Sequence, residues 1–257
     1  MIRFYGSAPY QTLVLHGGPG AIGSLRGFAA ELYKRSGLGI AEPLQSEYSV
    51  MGLVDELFRQ TENLSGSRLT FIGHSWGAWL AALFAQKYPQ RTEKLILIGC
   101  PPLETHYAGQ INLRRAARLS EEERIRFQTL LKSAEGNKET LHSFFDRTDN
   151  YCPQDLSLHK ADKVDEEMMT RVWKEADQMR KAGEILSCFK NLSCELFFVF
   201  GQEDPHPPEG VWEPLKNLPI QVLVLQRCGH SPFMERYAQN EFYTWLLPLL
   251  NTNGGCL

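Results

Sequence analysis

The sequence predicts an α/β fold, a mostly parallel central sheet with helices on both faces, interrupted by a helical cap insertion. Three observations predict it. Short runs dense in Leu, Val, Ile and Phe recur at 12–15, 69–72, 95–98, 196–200 and 221–225, and unbroken apolarity over four or five residues is what a strand buried on both faces requires. Helical stretches separate several of these runs, the rhythm of a sheet wound on both sides. Between 101 and about 187 the strand signal stops and helix signals take over.

Taken in order, the run 12–15 is the first strand and leads into His16-Gly17-Gly18-Pro19-Gly20. The run 69–72 leads into Gly73-His74-Ser75-Trp76-Gly77, after which 76–88 alternates small and large apolar residues until Lys87-Tyr88-Pro89 stops the helix. A third strand, 95–98, precedes the insertion. There, Ser120 and Glu123 have capping-box spacing and open a helix over 124–132. Asp165 opens another, with Met168, Met169, Val172, Trp173, Ala176 and Met179 at helical spacing before Gly183. Those Met and Trp side chains either pack the insertion on its neighbours or form a flexible apolar lid over a pocket. Strands 196–200 and 221–225 follow, and 236–250 is a last amphipathic helix that Pro248 breaks near its end. The expected organisation is a core made of 1–100 and 188–257, with 101–187 as a helical cap.

Composition narrows the function classes. With 257 residues, 43% hydrophobic and 22% charged, the chain can bury a sizeable core without disulfides or metals. A formal net charge of -3 gives no positive field to attract phosphate backbones or anionic lipid, so no nucleic-acid partner is expected. The first residues lack the apolar core of a signal peptide and no apolar run approaches the ~18 residues of a membrane span, so the expected setting is the cytoplasm, with no membrane partner. Six scattered cysteines (Cys100, Cys152, Cys188, Cys194, Cys228 and Cys256) without a C-x-x-C read as reduced thiols. The ending Gly254-Gly255-Cys256-Leu257 reads as a frayed tail, because a prenylation box needs its cysteine fourth from the end. His106, His142 and His159 lie in the insertion without ligand spacing, and neither a metal nor a cofactor is expected.

The chemistry-bearing candidates lie after strands. A G-x-S-x-G pentapeptide alone arises by chance in roughly one chain in ten of this length, so its placement is what matters. At a sharp strand-to-helix turn, flanking glycines let the two elements pass while the serine is lifted above the strand ends. Ser75 Oγ is then reachable by a ligand, and the Trp76 N–H points toward whatever Ser75 attacks. A serine hydroxyl is a poor nucleophile and needs a base oriented by a carboxylate. The run 196–200 leads into Gly201-Gln202-Glu203-Asp204, and 221–225 leads to Gly229-His230-Ser231-Pro232. The order Ser75, Asp204, His230 is therefore the expected catalytic set. His206 is the rival base, but two residues from Asp204 it is poorly placed to bridge acid and serine; Glu203 competes less well with Asp204 for the acid. His16 is expected to stiffen its loop, and His74 either shapes the pocket floor or hydrogen-bonds locally.

These three segments resemble the nucleophile, acid and base loops of the α/β-hydrolase fold over about 12–250, and His16-Gly17-Gly18-Pro19-Gly20 resembles that superfamily's oxyanion loop. The resemblance implies that the N–H groups of Gly18 and Trp76 form the oxyanion hole. H-G-G-P-G together with S-W-G is most similar to the proline iminopeptidases, which also insert a helical cap where 101–187 interrupts this sheet. His74 stands where that group has glycine. Its cap glutamates, which hold a free amino terminus, have no aligned counterpart; Glu166, Glu167 and Asp177 are the nearest substitutes. The expected function is a serine hydrolase that cleaves an ester, amide or similar acyl bond of a small, partly apolar molecule or short peptide. The alternatives are an aminopeptidase releasing N-terminal proline and a non-enzymatic receptor of this fold that binds a small ligand. Substrate-binding residues and oligomeric state have no signature in the sequence.

Overall fold

The structure, a computed structural model, describes residues 1–64, 68–132, 138–156 and 160–251. The readings on His159, Cys256 and the 254–257 tail fall outside those residues. A seven-stranded sheet forms the centre, in the order β1 (Ile2–Tyr5), β4 (Gly39–Pro43), β2 (Tyr10–Leu15), β5 (Leu69–His74), β6 (Thr92–Ile98), β8 (Glu195–Gly201), β9 (Ile220–Leu225). Every pairing is parallel except that of β1 with β4.

Alternate residues along each strand feed two cores, as a period of two requires. Leu13, Phe71, Leu95, Leu97 and Phe198 face α2 (Val50–Thr61) and α3 (Trp76–Lys87). Val14, Ile72, Ile96, Phe197 and Val199 face α1 (Arg26–Ser36) and α11 (Gln239–Asn251). Burying one such side chain contributes about 1.5 to 3 kcal/mol. This two-sided burial is why the strands read as near-continuous apolar runs. Helix α3 is buried from Trp76 through Ala85, which explains its lack of a polar face.

Two sheet strands escape the apolar-run pattern. Strand β4 carries Glu42 and β1 carries Arg3, and these face each other in register, with Arg3 Nη1 3.0 Å and Tyr5 Oη 2.7 Å from Glu42 Oε2. The charges that hide both strands in the sequence thus satisfy each other across the edge of the sheet. A further difference lies in α11, which runs through Pro248 to Asn251. Proline at 248 removes one N–H in the final turn only, and the buried Phe242, Tyr243 and Leu246 hold the preceding turns against α1.

Among the described residues between β6 and β8 the named elements are helices, the first being the short α4 (Thr105–Ala108), apart from β7 (Lys163–Val164), which pairs antiparallel with β3 (Ala21–Ile22); another short helix, α10 (Glu209–Trp212), follows β8. Helices α5 (Ile111–Ala116), α6 (Glu121–Lys132) and α7 (Lys138–Asp149) form a small separate cluster around Ala116, Phe127 and Phe144. Ser120 and Glu123 exchange reciprocal bonds at the start of α6, with 3.3 Å from Glu123 N to Ser120 Oγ and 3.0 Å from Ser120 N to Glu123 Oε2. Helices α8 (Glu166–Lys181) and α9 (Glu184–Lys190) instead join the main core through Met168, Val172, Ala176, Ile185 and Phe189. Asp165 caps α8 by accepting the Met168 N–H at 3.0 Å. Trp173 meets Trp76 and Trp79 edge-on, with ring centroids 5.8 and 6.1 Å away.

Candidate active site

Strands β2 and β5 are neighbours from which the chain departs to opposite sides of the sheet, and their carboxyl ends form the crevice where ligands of such sheets bind. Ser75 sits at the end of β5 with φ 52° and ψ -121°, a backbone conformation that a non-glycine residue adopts only when the surroundings impose it. The close passage of strand and helix imposes it. A Cβ on Gly73 would lie 2.4 Å from the Gly77 carbonyl oxygen, and one on Gly77 would lie 2.2 Å from that of Leu15. Ser75 N–H bonds Ile98 O at 2.9 Å, so the turn is tied to the end of β6 as well. Trp76 occupies the first position of α3, where helical geometry leaves the N–H without an intrahelical acceptor.

The 16–20 loop abuts this turn: a Cβ on Gly17 would lie 2.9 Å from Ser75 Cβ. Gly18 takes a left-handed φ of 55° and its carbonyl accepts the Ala21 N–H at 2.8 Å, turning the loop back. His16 lies beneath, fully buried, with Nδ1 3.0 Å from the Gly17 oxygen. Burial, opposed by its bonds to Gly17 and Gly18, brings its pKa down to about 4, so it is neutral in the folded protein.

Asp204 follows β8 and His230 follows β9, and the structure joins them: His230 Nδ1 donates to Asp204 Oδ2 at 2.7 Å. Their backbone frame is fixed from the helical segment, since the His230 N–H bonds Asp149 O at 2.7 Å and the Asp149 carboxylate is held by Arg115 at 2.6 and 2.5 Å. Glu235, fully buried, accepts the N–H groups of Gly229, Tyr151 and Cys152 at 2.9, 2.6 and 2.6 Å, which straps the chain after α7 along the base loop.

The His230 ring lies beside the residue before Ser75 and beside the chain that leaves β6. Its centroid is 4.9 Å from that of His74, and a Cβ on Gly99, next after Ile98, would lie 2.8 Å from its Cε1. With Nδ1 engaged by Asp204, Nε2 is the nitrogen left to face a ligand or hydroxyl. Among the described residues Ser75 Oγ makes no hydrogen bond, so no direct bond joins Ser75 to His230.

The electrostatics favour protonation of His230 beside an ionised Asp204. Burial disfavours the carboxylate of Asp204, but the charges of His230 and His206 and the hydrogen bonds from both outweigh it and hold the group far below the ordinary carboxylate range. Burial likewise works against a protonated His230, yet the charge and hydrogen bond of Asp204, helped by Asp149, raise it above the usual histidine value. His74 is held well below that value by burial and by the adjacent His230.

His206 is a neighbour of the acid rather than a competitor for Ser75. Its backbone N–H and its Nδ1 lie 2.8 and 2.9 Å from Asp204 Oδ1, and its ring stacks on His230 with centroids 4.2 Å apart and 25° between planes. Asp204, His206 and His230 are also the one grouping of metal-ligand types found among the described residues. Ligands about 2.0–2.1 Å from a tetrahedral ion stand roughly 3.3 Å apart, whereas these nitrogens lie at hydrogen-bonding distance from the carboxylate oxygens. The Nδ1 atoms and the carboxylate oxygens are engaged with one another, while neither Nε2 takes part.

A cavity of about 390 Å³ opens beside the site, with His74 and Ser231, the chain neighbours of Ser75 and His230, in its wall. Asp146, Asn150 and Lys160 from the helical segment and Phe233 from the core are among the other residues of a lining of mixed polarity; Ser75 is not part of it. The His74 ring bonds the His230 carbonyl at 3.2 Å and lies 3.3 Å from Ser231 Oγ, so it serves as a wall and as a local brace. Glu167 and Asp177 are outside this cavity, engaged along α8 by Arg171 and by Arg180 and Lys181. Glu166, at the first position of α8, is also not part of the lining.

Comparison with known proteins agrees with the geometry. Proline iminopeptidases of Neisseria gonorrhoeae and of Neisseria meningitidis are 31% and 32% identical to this chain over an alignment of 111 residues that covers 38% of this chain. The chain's match spans 36% of the length of these curated relatives. Among solved structures, a carboxylesterase of the thaumarchaeon Nitrososphaera gargenis superposes with a TM-score of 0.66 at 19% identity. The proline iminopeptidase of Mycobacterium smegmatis does so with 0.69 at 16% identity. Each superposition covers 97% of this chain and 93% of the other, likeness at the level of the fold. Among the described residues no helix is long and apolar enough to cross a membrane. The parallel sheet, the serine turn after its central strand and the family model that matches residues 13–237 converge on one assignment: the chain belongs to the alpha/beta hydrolase fold family.

Proposed function

We propose that the protein is a cofactor-independent serine hydrolase of the cytoplasm that cleaves an ester, amide or similar acyl bond of a small, partly apolar molecule or short peptide. The observation that carries this reading is the 2.7 Å bond between His230 Nδ1 and Asp204, in a ring that flanks the strained turn at Ser75. In the reaction, His230 Nε2 takes the Ser75 proton as Oγ bonds to the carbonyl carbon. The displaced π pair moves onto the carbonyl oxygen, which accepts hydrogen bonds from the Gly18 and Trp76 N–H groups. Loss of one such donor costs about 2.7 to 4 kcal/mol in comparable sites. The imidazolium, stabilised by Asp204, gives its proton to the leaving alcohol or amine as that bond breaks and an acyl-enzyme remains. Water then attacks with His230 as base, and Ser75 departs with the proton returned. Segment 101–187 acts as the cap that selects the substrate.

A narrower reading, release of an N-terminal residue by an aminopeptidase, is favoured by one observation. The cavity beside the site carries Asp146, an exposed carboxylate in its wall. Such a group can meet the ammonium of a free amino terminus, and the relatives at 31–32% identity are named as proline iminopeptidases. Turnover of short-chain aryl esters and of a proline arylamide, each with the wild type and Ser75→Ala, tests both readings. Hydrolysis that vanishes in Ser75→Ala is expected for at least one substrate class, and only arylamide turnover supports the narrower one. Turnover that survives Ser75→Ala contradicts the proposal.

A further inference from the structure

Asp204 serves two imidazoles, and serine-base-acid chemistry needs only one. Its carboxylate can only accept, so the 2.7 and 2.9 Å contacts fix a proton on Nδ1 of both His230 and His206 and leave each Nε2 without one in the neutral state. His206 also gives Asp204 Oδ1 its backbone N–H at 2.8 Å, so one residue grips that oxygen twice. Its ring then lies nearly flat on His230, 4.2 Å between centroids. All three groups are buried, so water does not share the carboxylate.

Resting on the serine-hydrolase reading above, we propose that His206 is a positioning residue: it holds Asp204 ionised and in one rotamer, fixes the plane of the catalytic ring by stacking, and tempers the basicity of His230. The reason is charge sharing. A carboxylate that already receives two hydrogen bonds on one oxygen attracts a proton on His230 less strongly than one receiving none, because each donor draws off negative charge. The two rings also compete for one additional proton. When His230 takes the serine proton, its charge at stacking distance disfavours charging of His206, and His206 remains a neutral donor throughout the cycle. Consistent with this order, burial and the charge of His230 lower the pKa of His206 while that of His230 is raised. The other groups facing the pair act on both rings. Arg115 of α5 opposes protonation of each, Asp149 of α7 favours it at His230, and His74 at the end of β5 is a neutral ring 4.9 Å from His230.

Two substitutions separate the donor from the stack. In Asn, the side-chain amide nitrogen stands where His Nδ1 does, so His206→Asn keeps the donor and loses most of the ring contact; His206→Phe keeps the ring and loses the donor. The expected result for His206→Phe is an acid limb of kcat/KM displaced to higher pH, with the ratio of kcat/KM at pH 6 to that at pH 8 falling roughly threefold or more. KM is expected to hold within about twofold while kcat falls, since an orienting contact acts on the chemical step. His206→Asn is expected to keep the limb where the wild type has it. Proton NMR gives a readout that needs no turnover: two imidazole N–H resonances shifted downfield by the carboxylate in the wild type, one in His206→Phe, and neither in Asp204→Asn. A limb that stays in place in both variants, or a single downfield resonance in the wild type, overturns the proposal and leaves His206 a packing residue. Should His206→Phe not fold, His206→Asn and the wild-type resonances still decide. Ser75→Ala retaining full activity would instead remove the serine-hydrolase reading, while the two resonances would still report on the shared carboxylate.

Discussion

At the scale of the residue, the proposed roles of Ser75 as nucleophile and His230 as base have quantitative consequences. Ser75→Ala is expected to lower kcat by at least about 10⁴-fold with the fold unchanged by circular dichroism, since the remaining groups only bind and polarise. The base must be neutral to act, and its pKa in the folded protein is raised, with burial opposing and Asp204 prevailing. Activity therefore falls as the pH drops through a value above the ordinary 6.5 of histidine; a kcat/KM profile whose acid limb lies clearly below 6.5 contradicts the assignment. The placement of Ser75, Asp204 and His230 at strand ends was legible because a glycine-fenced serine, an acid and a histidine each follow an apolar run. The role of His206 was not, because contact between residues two apart depends on how the loop after β8 turns. The adjacency of Asp204, Pro205 and His206 was the one available signal.

At the scale of the element, Glu235 matters more than its position in a loop suggests. Its buried carboxylate accepts three backbone N–H groups from two segments more than 75 residues apart in sequence. Glu235→Gln presents an amide N–H₂ to groups that can only donate, and is expected to cost roughly 2 to 4 kcal/mol in urea unfolding, with kcat reduced because the His230 loop loses its strap. A loss below about 0.5 kcal/mol contradicts the strap. By contrast Ser120→Ala removes only an exposed cap of α6 and is expected to cost about 1 kcal/mol without effect on activity. Local signals of this second kind, the Ser120–Glu123 box and the Asp165 cap, are readable from the sequence because both partners lie within one turn. Glu235, and the Arg3–Glu42 pair that conceals β1 and β4, are not, because their partners are brought together only by the sheet and its loops.

At the scale of the whole molecule, the buried histidines beneath the site couple folding to pH. Unfolded His16 takes up a proton below about 6.5, whereas burial holds the folded form neutral until about 4, so the unfolded state binds more protons between those values. Stability is expected to fall as the pH drops through that window, by about 3 kcal/mol from His16 alone, with His74 and His206 acting in the same direction. His230 acts oppositely: its raised pKa contributes stability that is complete below the unfolded value and lost as the pH rises through the folded one. Urea unfolding at pH 7, 5.5 and 4.5 checks this, and His16→Gln should flatten the slope; an unchanged slope excludes His16 as the cause. The mostly parallel sheet that gathers these groups at one rim was legible in outline from the apolar runs, though its strand order was not. The cavity bordered by His74 was not, since Asp146, Asn150 and Lys160 reach it from a segment whose packing depends on the whole fold. The central claim is that Ser75 is activated by His230 on Asp204, and stoichiometric labelling with a fluorophosphonate followed by peptide mass spectrometry tests it most directly. The account predicts one adduct per chain, on the peptide containing Ser75, formed at least about 10³-fold more slowly in His230→Ala; a folded protein that takes no adduct at Ser75, or takes it as fast without the imidazole, contradicts it.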